Sequence, residues 1–339
     1  MIIFRKILRK FLVIRLILAL ITLFCLPNSR FLFAQESIAS TAVVVAIIDQ
    51  GVDFTHPALQ NSQWQNSKES LNGIDDDNNG QIDDVSGWDF FNNTNSQTPL
   101  GPHGTRLAGI VLKEAPEAKI MSLTVCDRQL GCSSGAVVSA IYYAVDHSAK
   151  VINLSFGDVS GFSDVYTSAI NYANQKGVVV VVAAGGDATG YDLAQKPISP
   201  ICNKPTIGVS SVDKNGQLPV WANFGACVDV YALGVNILSS TSLIFDNASY
   251  GYFNGTSYST AVVSGFSAKA KWQNPNITPS EIIELYKNAN LIITESKKNE
   301  QSKQQSQPKV KGVRVLKSKK VVLPKPKPVA VIKITEKFR

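Results

Sequence analysis

The sequence predicts an α/β fold, a doubly wound parallel sheet with helices on both faces. Three observations predict it. From about residue 42 onward, short β-branched runs alternate with segments of helix length, the signature of repeated βαβ units. The first run, residues 41–49 (TAVVVAIID), is apolar almost without a break, as a strand buried on both faces must be. The whole chain is 45% hydrophobic and 17% charged over 339 residues, enough apolar material for one large α/β domain with appendages.

Taken in order, residues 118–125 (AKIMSLTV) form a second strand, and residues 135–149 (GAVVSAIYYAVDHSA) follow as a helix. Residues 150–156 (KVINLSF) return as a strand, and residues 163–177 (SDVYTSAINYANQKG) make a helix stopped by Gly177. The run at 178–186 (VVVVVAAGG) is the next strand, followed by strands in 205–212 (PTIGVSSV) and 228–234 (VDVYALG). A helix opens near Ser257 in residues 253–265 (FNGTSYSTAVVSG) and continues to about Lys271. A last helix occupies 278–290, with Thr278 as its cap and Pro279 at its first position, where the missing N–H costs nothing.

Charge divides the chain into three parts. Residues 1–30 carry six basic side chains and no acid, and residues 296–339 carry fourteen Lys/Arg against two Glu, which leaves residues 31–295 at −11 out of a total of +7. At the N-terminus a basic region, an apolar run at 16–26 and small residues up to Ala34 follow one another. That order is a secretory signal peptide over residues 1–34, and the run is shorter than the roughly 20 residues of a retained membrane anchor. The expected location is secreted or periplasmic. Cys25 follows Phe24, too bulky a neighbour for lipoprotein processing. The domain is expected over 35–295, and the Lys- and Pro-rich tail over 296–339 cannot bury a core and reads as mostly disordered. Opposite charges suggest that this tail lies on its own acidic domain or on an anionic surface. No nucleic-acid partner is expected.

Four cysteines remain beyond the signal: Cys126, Cys132, Cys202 and Cys227. An even number in an exported chain points to disulfides, and the expected pairs are Cys126–Cys132 and Cys202–Cys227. Neither CxxC spacing nor a neighbouring His supports a metal site at these cysteines.

In doubly wound sheets, functional residues gather at the carboxyl ends of strands. Asp49 closes the first strand. Of only three His, His56 stands in a turn before Pro57 and reads as structural, and His147 ends a helix, where a cation suits the dipole. His103 stands between glycines at a helix start, where a substrate backbone can come close. Ser257 alone reads as a helix cap. In combination the three residues supply a nucleophile, a base to take its proton and a carboxylate to fix the base's tautomer. A dinucleotide-binding reading fails because no GxGxxG follows the first strand.

Residues 42–290 resemble the subtilisin-like serine peptidases, the subtilase family (peptidase S8). The resemblance rests on five segments in order: VVAIIDQGVDFTHPAL, HGTRLAGIV, VINLSFG, VVVVAAG and NGTSYSTA. It implies a charge-relay triad of Asp49, His103 and Ser257. It also implies a peptide that docks as an extra strand between Ser155, Phe156 and Gly157 on one side and Ala183, Ala184, Gly185 and Gly186 on the other. The sequence departs from the family at Gln50, where Ser or Thr is usual, and at Tyr258, Ser259 and Ala261, where Met, Ala and Pro are usual. Gly186 replaces an Asn whose side-chain amide is an oxyanion donor in the family. Removing that donor from a member of this family costs about 10²–10³ in kcat, so a slow or specialised peptidase is expected, and restoring Asn at 186 is expected to raise the rate. Backbone N–H groups of Ser257 and Gly186, a water in the space vacated by Asn, or a protonated Asp187 are the substitutes available. The alternative is a catalytically inactive relative that binds peptides or calcium. Members of the family usually carry a folding propeptide, whereas about eight residues lie between Ala34 and the first strand, so folding is expected to be unassisted or aided by another molecule.

Residues 72–90 (NGIDDDNNGQIDDVSGWDF) place Asp75, Asp77, Asn79, Gly80, Ile82 and Asp83 at the spacing of the first nine positions of a helix-flanked calcium loop. Its closing Glu is missing, Ser86 stands at the twelfth position, and Asp84 is expected to substitute. The crowded carboxylates favour a structural Ca²⁺ over an empty acidic loop.

Overall fold

The computed structural model of the chain describes residues 42–157 and 161–288. The expected signal peptide at 1–34 and the basic tail at 296–339 lie outside the described residues. The described elements are β1 (Val44–Asp49), β2 (Gly87–Asp89), α1 (His103–Glu114), β3 (Lys119–Thr124), β4 (Cys126–Asp127), β5 (Gly131–Cys132), α2 (Ser134–Asp146) and β6 (Val151–Leu154). After a 3₁₀ turn at Asp164–Tyr166 come α3 (Thr167–Gln175), β7 (Val179–Ala183), β8 (Ile207–Val212), β9 (Val230–Leu233), β10 (Ile237–Ser240), β11 (Tyr250–Phe253), α4 (Thr256–Gln273) and α5 (Pro279–Asn288).

Seven strands form one sheet in the order β2-β3-β1-β6-β7-β8-β9, and every pairing in it is parallel. Alternate residues of each strand face opposite cores. Ala46, Ile48, Val180 and Val182 pack with the α2 and α3 residues Val137, Ala140, Ile141, Ala169 and Ile170. Their neighbours Val45, Ile47, Val179 and Val181 pack on the other face with Leu107, Ile110 and Val111 of α1, Ala261 and Val263 of α4, and Ile282 and Tyr286 of α5. The sheet is covered on both faces, which is why its strands are apolar without alternation.

Strand order reverses beside β1. The chain steps from β1 to β3 on one side, then crosses to β6 on the other, so the crevice at the carboxyl ends of β1 and β6 is the topological switch point where such folds bind ligands. The helix read near Ser257 is α4, and Gly255, with φ 156°, is its N-cap rather than Ser257. Thr278 caps α5 as expected: Glu281 N–H donates to Thr278 Oγ1 at 3.2 Å, and Thr278 N–H donates to Glu281 Oε2 at 2.8 Å, a reciprocal capping box. Cys126–Cys132 and Cys202–Cys227 are disulfide-bonded, as paired from the sequence.

Three features were not read from the sequence: the edge strand β2, the minimal β4–β5 hairpin and the antiparallel hairpin β10–β11. The last clamps α1, where Ser239 Oγ donates to the Arg106 carbonyl at 2.6 Å and Ser240 Oγ to the Thr105 carbonyl at 3.0 Å.

Candidate active site

Asp49 is carried to the end of β1, the third of the seven strands, and is 2% exposed. Its carboxylate accepts the Gln50 N–H at 2.8 Å and lies 2.9 Å and 3.0 Å, through its two oxygens, from His103 Nδ1. His103 is the first residue of α1. Two close approaches seat it there. A Cβ at Gly104 would stand 2.3 Å from the Gly51 carbonyl, so only glycine lets the helix start rest on the loop leaving β1. Gln50 Oε1 accepts the His103 backbone N–H at 3.3 Å, which gives the unusual residue at position 50 a task, that of satisfying an orphan N–H of the helix start.

Because the Asp49 carboxylate is an acceptor, the proton of the neutral imidazole sits on Nδ1, and Nε2 keeps its lone pair. Burial works against the imidazolium. The Asp49 charge and its hydrogen bond outweigh burial, Arg106 opposes them, and the pKa of His103 ends above its ordinary 6.5. The pair therefore adds to folding stability below pH 6.5, and this contribution is lost as pH rises through the raised value.

Ser257 is the second residue of α4, whose N-terminus has no side-chain cap. The first N–H groups of an 18-residue helix and its dipole are thus presented beside the serine. Ser257 Oγ donates to the Ser155 carbonyl at 3.0 Å, and Ser155 Oγ donates to the Ser257 carbonyl at 3.2 Å. Behind them Asn153 Nδ2 donates to Ser155 Oγ at 2.9 Å, and Ser264 Oγ to Asn153 Oδ1 at 2.9 Å. This buried relay ties the end of β6 to α4 and had one sequence signal, an Asn inside an otherwise apolar strand. Ser155, Phe156 and Gly157 continue β6, and Ala184, Gly185 and Gly186 continue β7 beyond Ala183, so the segments expected to hold a peptide leave adjacent strands.

A second group flanks His103, and apart from Tyr258 none of its residues was singled out in the sequence. The Tyr258 ring lies 5.9 Å from the imidazole and stacks 5.4 Å from Phe253. The Arg106 guanidinium covers the Phe253 ring at 4.3 Å and pairs with Asp246 at 3.1 Å. His56 is structural, as read: Nε2 donates to the Ser249 carbonyl at 2.8 Å and Nδ1 accepts the Ala58 N–H at 3.1 Å.

Gly186 lies against neighbouring backbone. A Cβ there would lie 2.1 Å from the Trp221 carbonyl oxygen, and the Asp187 N–H donates to that same oxygen at 3.1 Å. The segment 221–222 stands where the Cβ of an Asn would go, so an Asn at 186 requires that segment to shift. Asp187 does not turn into the crevice; its Oδ1 accepts the Ala188 N–H at 2.7 Å and the residue is exposed.

The acidic loop is also not built as a helix-flanked calcium loop. Turns, not helices, flank it. Asp75 uses its oxygens on the Asn79 and Gly80 N–H groups at 3.0 Å and 2.8 Å. Asp83 uses an oxygen on the Asn72 and Gly73 N–H groups, both at 2.9 Å. Both carboxylates hold the loop's own backbone. Asp77 and Asp84 instead converge with Glu69, a residue the sequence reading missed, with one oxygen of each within 4.8 Å of the others. Asn79 Nδ2 donates to Asp84 Oδ2 at 2.8 Å.

Two outcomes follow from this geometry. An NMR titration of the His103 imidazole is expected to give a pKa above 6.5, moving down in Asp49→Asn; a wild-type value at or below 6.5 would contradict the pairing. Gly186→Asn is expected to lose about 1–3 kcal/mol in urea unfolding, the usual cost of overpacking, whereas unchanged stability would mean that the Trp221 segment yields.

The family model described as "Subtilase family" matches residues 40–312. A thermophilic serine proteinase of Bacillus sp. (strain AK1) is 32% identical over 249 residues, which is 70% of this chain and 54% of that protein. Thermitase of Thermoactinomyces vulgaris is 33% identical over 231 residues, 65% of this chain and 72% of thermitase. The crystal structure of a cold adapted subtilisin-like serine proteinase superposes with a TM-score of 0.61 at 25% identity, covering 74% of this chain and 82% of that one. The chain spans about half the length of the Bacillus protein and of a Plasmodium berghei subtilisin-like protease, at 54% and 55%. With the parallel sheet, the switch-point crevice and these matches together, the chain belongs to the subtilase family.

Proposed function

We propose that this chain is an exported serine endopeptidase that cleaves peptide bonds through an acyl-enzyme. The observation that carries the reading is the buried Asp49 carboxylate holding His103 Nδ1 at 2.9 Å, with the ring of Tyr258, the residue after Ser257, 5.9 Å from that imidazole. Ser257 Oγ turns from the Ser155 carbonyl toward His103 Nε2, gives up its proton and attacks the substrate carbonyl carbon. Asp49 stabilises the imidazolium formed, which then protonates the departing amine. Water, deprotonated by the same imidazole, releases the acyl group. The backbone N–H at Ser257 and the uncapped N-terminus of α4 face the developing oxyanion. With glycine at 186 the second donor is a main-chain group or water, so kcat is expected to lie about 10²–10³ below that of a relative with the full pair. Export rests on the basic and apolar N-terminal region and is supported by the two disulfides.

Two observations favour the silent alternative. The Ser257 hydroxyl is engaged by Ser155, and the Trp221 segment seals the position of the missing amide. Labelling with a fluorophosphonate probe separates the two readings. The intact protein is expected to label, and Ser257→Ala and His103→Ala to lose labelling. An unlabelled intact protein would leave the peptide-binding module as the reading.

A structural divalent cation, Ca²⁺ by its all-oxygen donors, fits Glu69, Asp77 and Asp84. Glu69 and Asp84 are buried, the Asp77 side chain is 6% exposed, and Glu69 Oε2 and Asp77 Oδ1 have no hydrogen-bond partner. Three clustered carboxylates, two of them with an orphaned oxygen, repel one another unless a cation is shared. The donors Asn66 Nδ2 and Tyr143 Oη, at 3.0 Å and 2.6 Å from Asp84, fix the direction of that carboxylate. At 100-fold excess over Kd, Ca²⁺ would add about 2.7 kcal/mol to stability. Adding Ca²⁺ to chelator-treated protein is therefore expected to raise Tm by several degrees, and Glu69→Gln to weaken the response; an identical Tm with and without Ca²⁺ would remove the site.

A further inference from the structure

Two glycines face each other across the proposed peptide cleft. Gly157 lies on the segment continuing β6, and Gly185, with φ +71°, lies on the segment continuing β7. A Cβ at Gly157 would stand 3.2 Å from Ile198 Cδ1, and a Cβ at Gly185 would stand 3.7 Å from the same carbon. Carbon–carbon contact is reached at about 3.5–4.0 Å. One methyl group therefore occupies the gap level with both glycines, where a side chain entering between the two segments would need to go.

Ile198 is fixed in that place. It is 4% exposed and packs in the core under the α2 and α3 face of the sheet. Its carbonyl accepts the Cys202 N–H at 3.1 Å, and Cys202 is bonded to Cys227. On the other flank Ser199 is fully buried; it accepts the Ser163 N–H and donates to the Ser163 carbonyl, both at 2.9 Å. A segment braced on both sides cannot swing aside as a gate.

We propose that Ile198 is a specificity-determining residue. It closes the floor between Gly157 and Gly185 and restricts the residue on the acyl side of the cleaved bond to Gly, Ala or Ser. The inference rests on the peptidase reading of the same crevice. The acyl-side residue falls there because Ser155, which opens one of the two segments, is the residue hydrogen-bonded to Ser257. A larger side chain would have to displace a buried methyl group from a packed core, at a cost typical of overpacking.

The test compares tetrapeptide anilides that differ only in their last residue, Ala or Phe. The wild type is expected to favour Ala at least 100-fold in kcat/KM. Ile198→Ala is expected to reduce that ratio at least tenfold, and the gentler Ile198→Val to reduce it by less. Equal rates on Ala and Phe in the wild type, or an unchanged ratio in a folded Ile198→Ala protein, would overturn the assignment. If neither anilide is hydrolysed, the peptidase reading fails, and the floor is then read by binding alone. Fluorescence anisotropy of labelled peptides ending in Ala or Phe on Ser257→Ala is expected to rank Ala tighter, with the gap closing when Ile198→Ala is added. Equal binding of the two peptides to Ser257→Ala would overturn the proposal independently of catalysis.

Discussion

The rest of the crevice depends on the buried Asp49 carboxylate. A charge that is 2% exposed at the end of an apolar strand must be compensated. Its compensation comes from the Gln50 N–H and from His103. That requirement draws the start of α1 onto the loop leaving β1, close enough for Gly104 to touch the Gly51 carbonyl. Once α1 is seated, its third turn packs against α4, and the hairpin β10–β11 closes over it through Ser239 and Ser240. The position of Ser257 therefore follows from burial of one carboxylate as much as from its own segment.

The relay from Ser264 through Asn153 and Ser155 to Ser257 ties the serine to the other side of the switch point. A fully buried Asn in the middle of a parallel sheet is costly unless every polar atom is used. Here the Asn153 amide donates to one serine and its oxygen accepts from another, and this spans the strand end and the helix. Ser257 is thus hydrogen-bonded to the strand end beside it. The Trp221 carbonyl stands against Gly186, so the missing amide is a property of the neighbouring segment as well as of one residue.

Six of the sheet's seven strands, their helices and both disulfides were legible in the sequence, the strands as continuous apolar runs, the start of α1 as a glycine pair and the start of α4 as a hydroxyl-rich stretch. What escaped notice is long-range. Gln50 looked like a loss of the family's Ser or Thr until its amide was seen beneath the His103 N–H. Glu69 lies outside the acidic run, and only folding brings it to Asp77 and Asp84. Asp75 and Asp83 matched a ligand spacing, yet without flanking helices they turn back onto their own loop. Spacing alone does not show which carboxylates converge in the fold and which accept from their own loop's backbone.

The central claim is that Ser257 becomes acylated with a glycine at position 186. Pre-steady-state mixing with an activated peptide ester, followed by intact-mass analysis, tests it directly. The account predicts a burst near one equivalent of released alcohol and a mass increase equal to the acyl group, located on Ser257. A linear time course with unmodified Ser257 would contradict it.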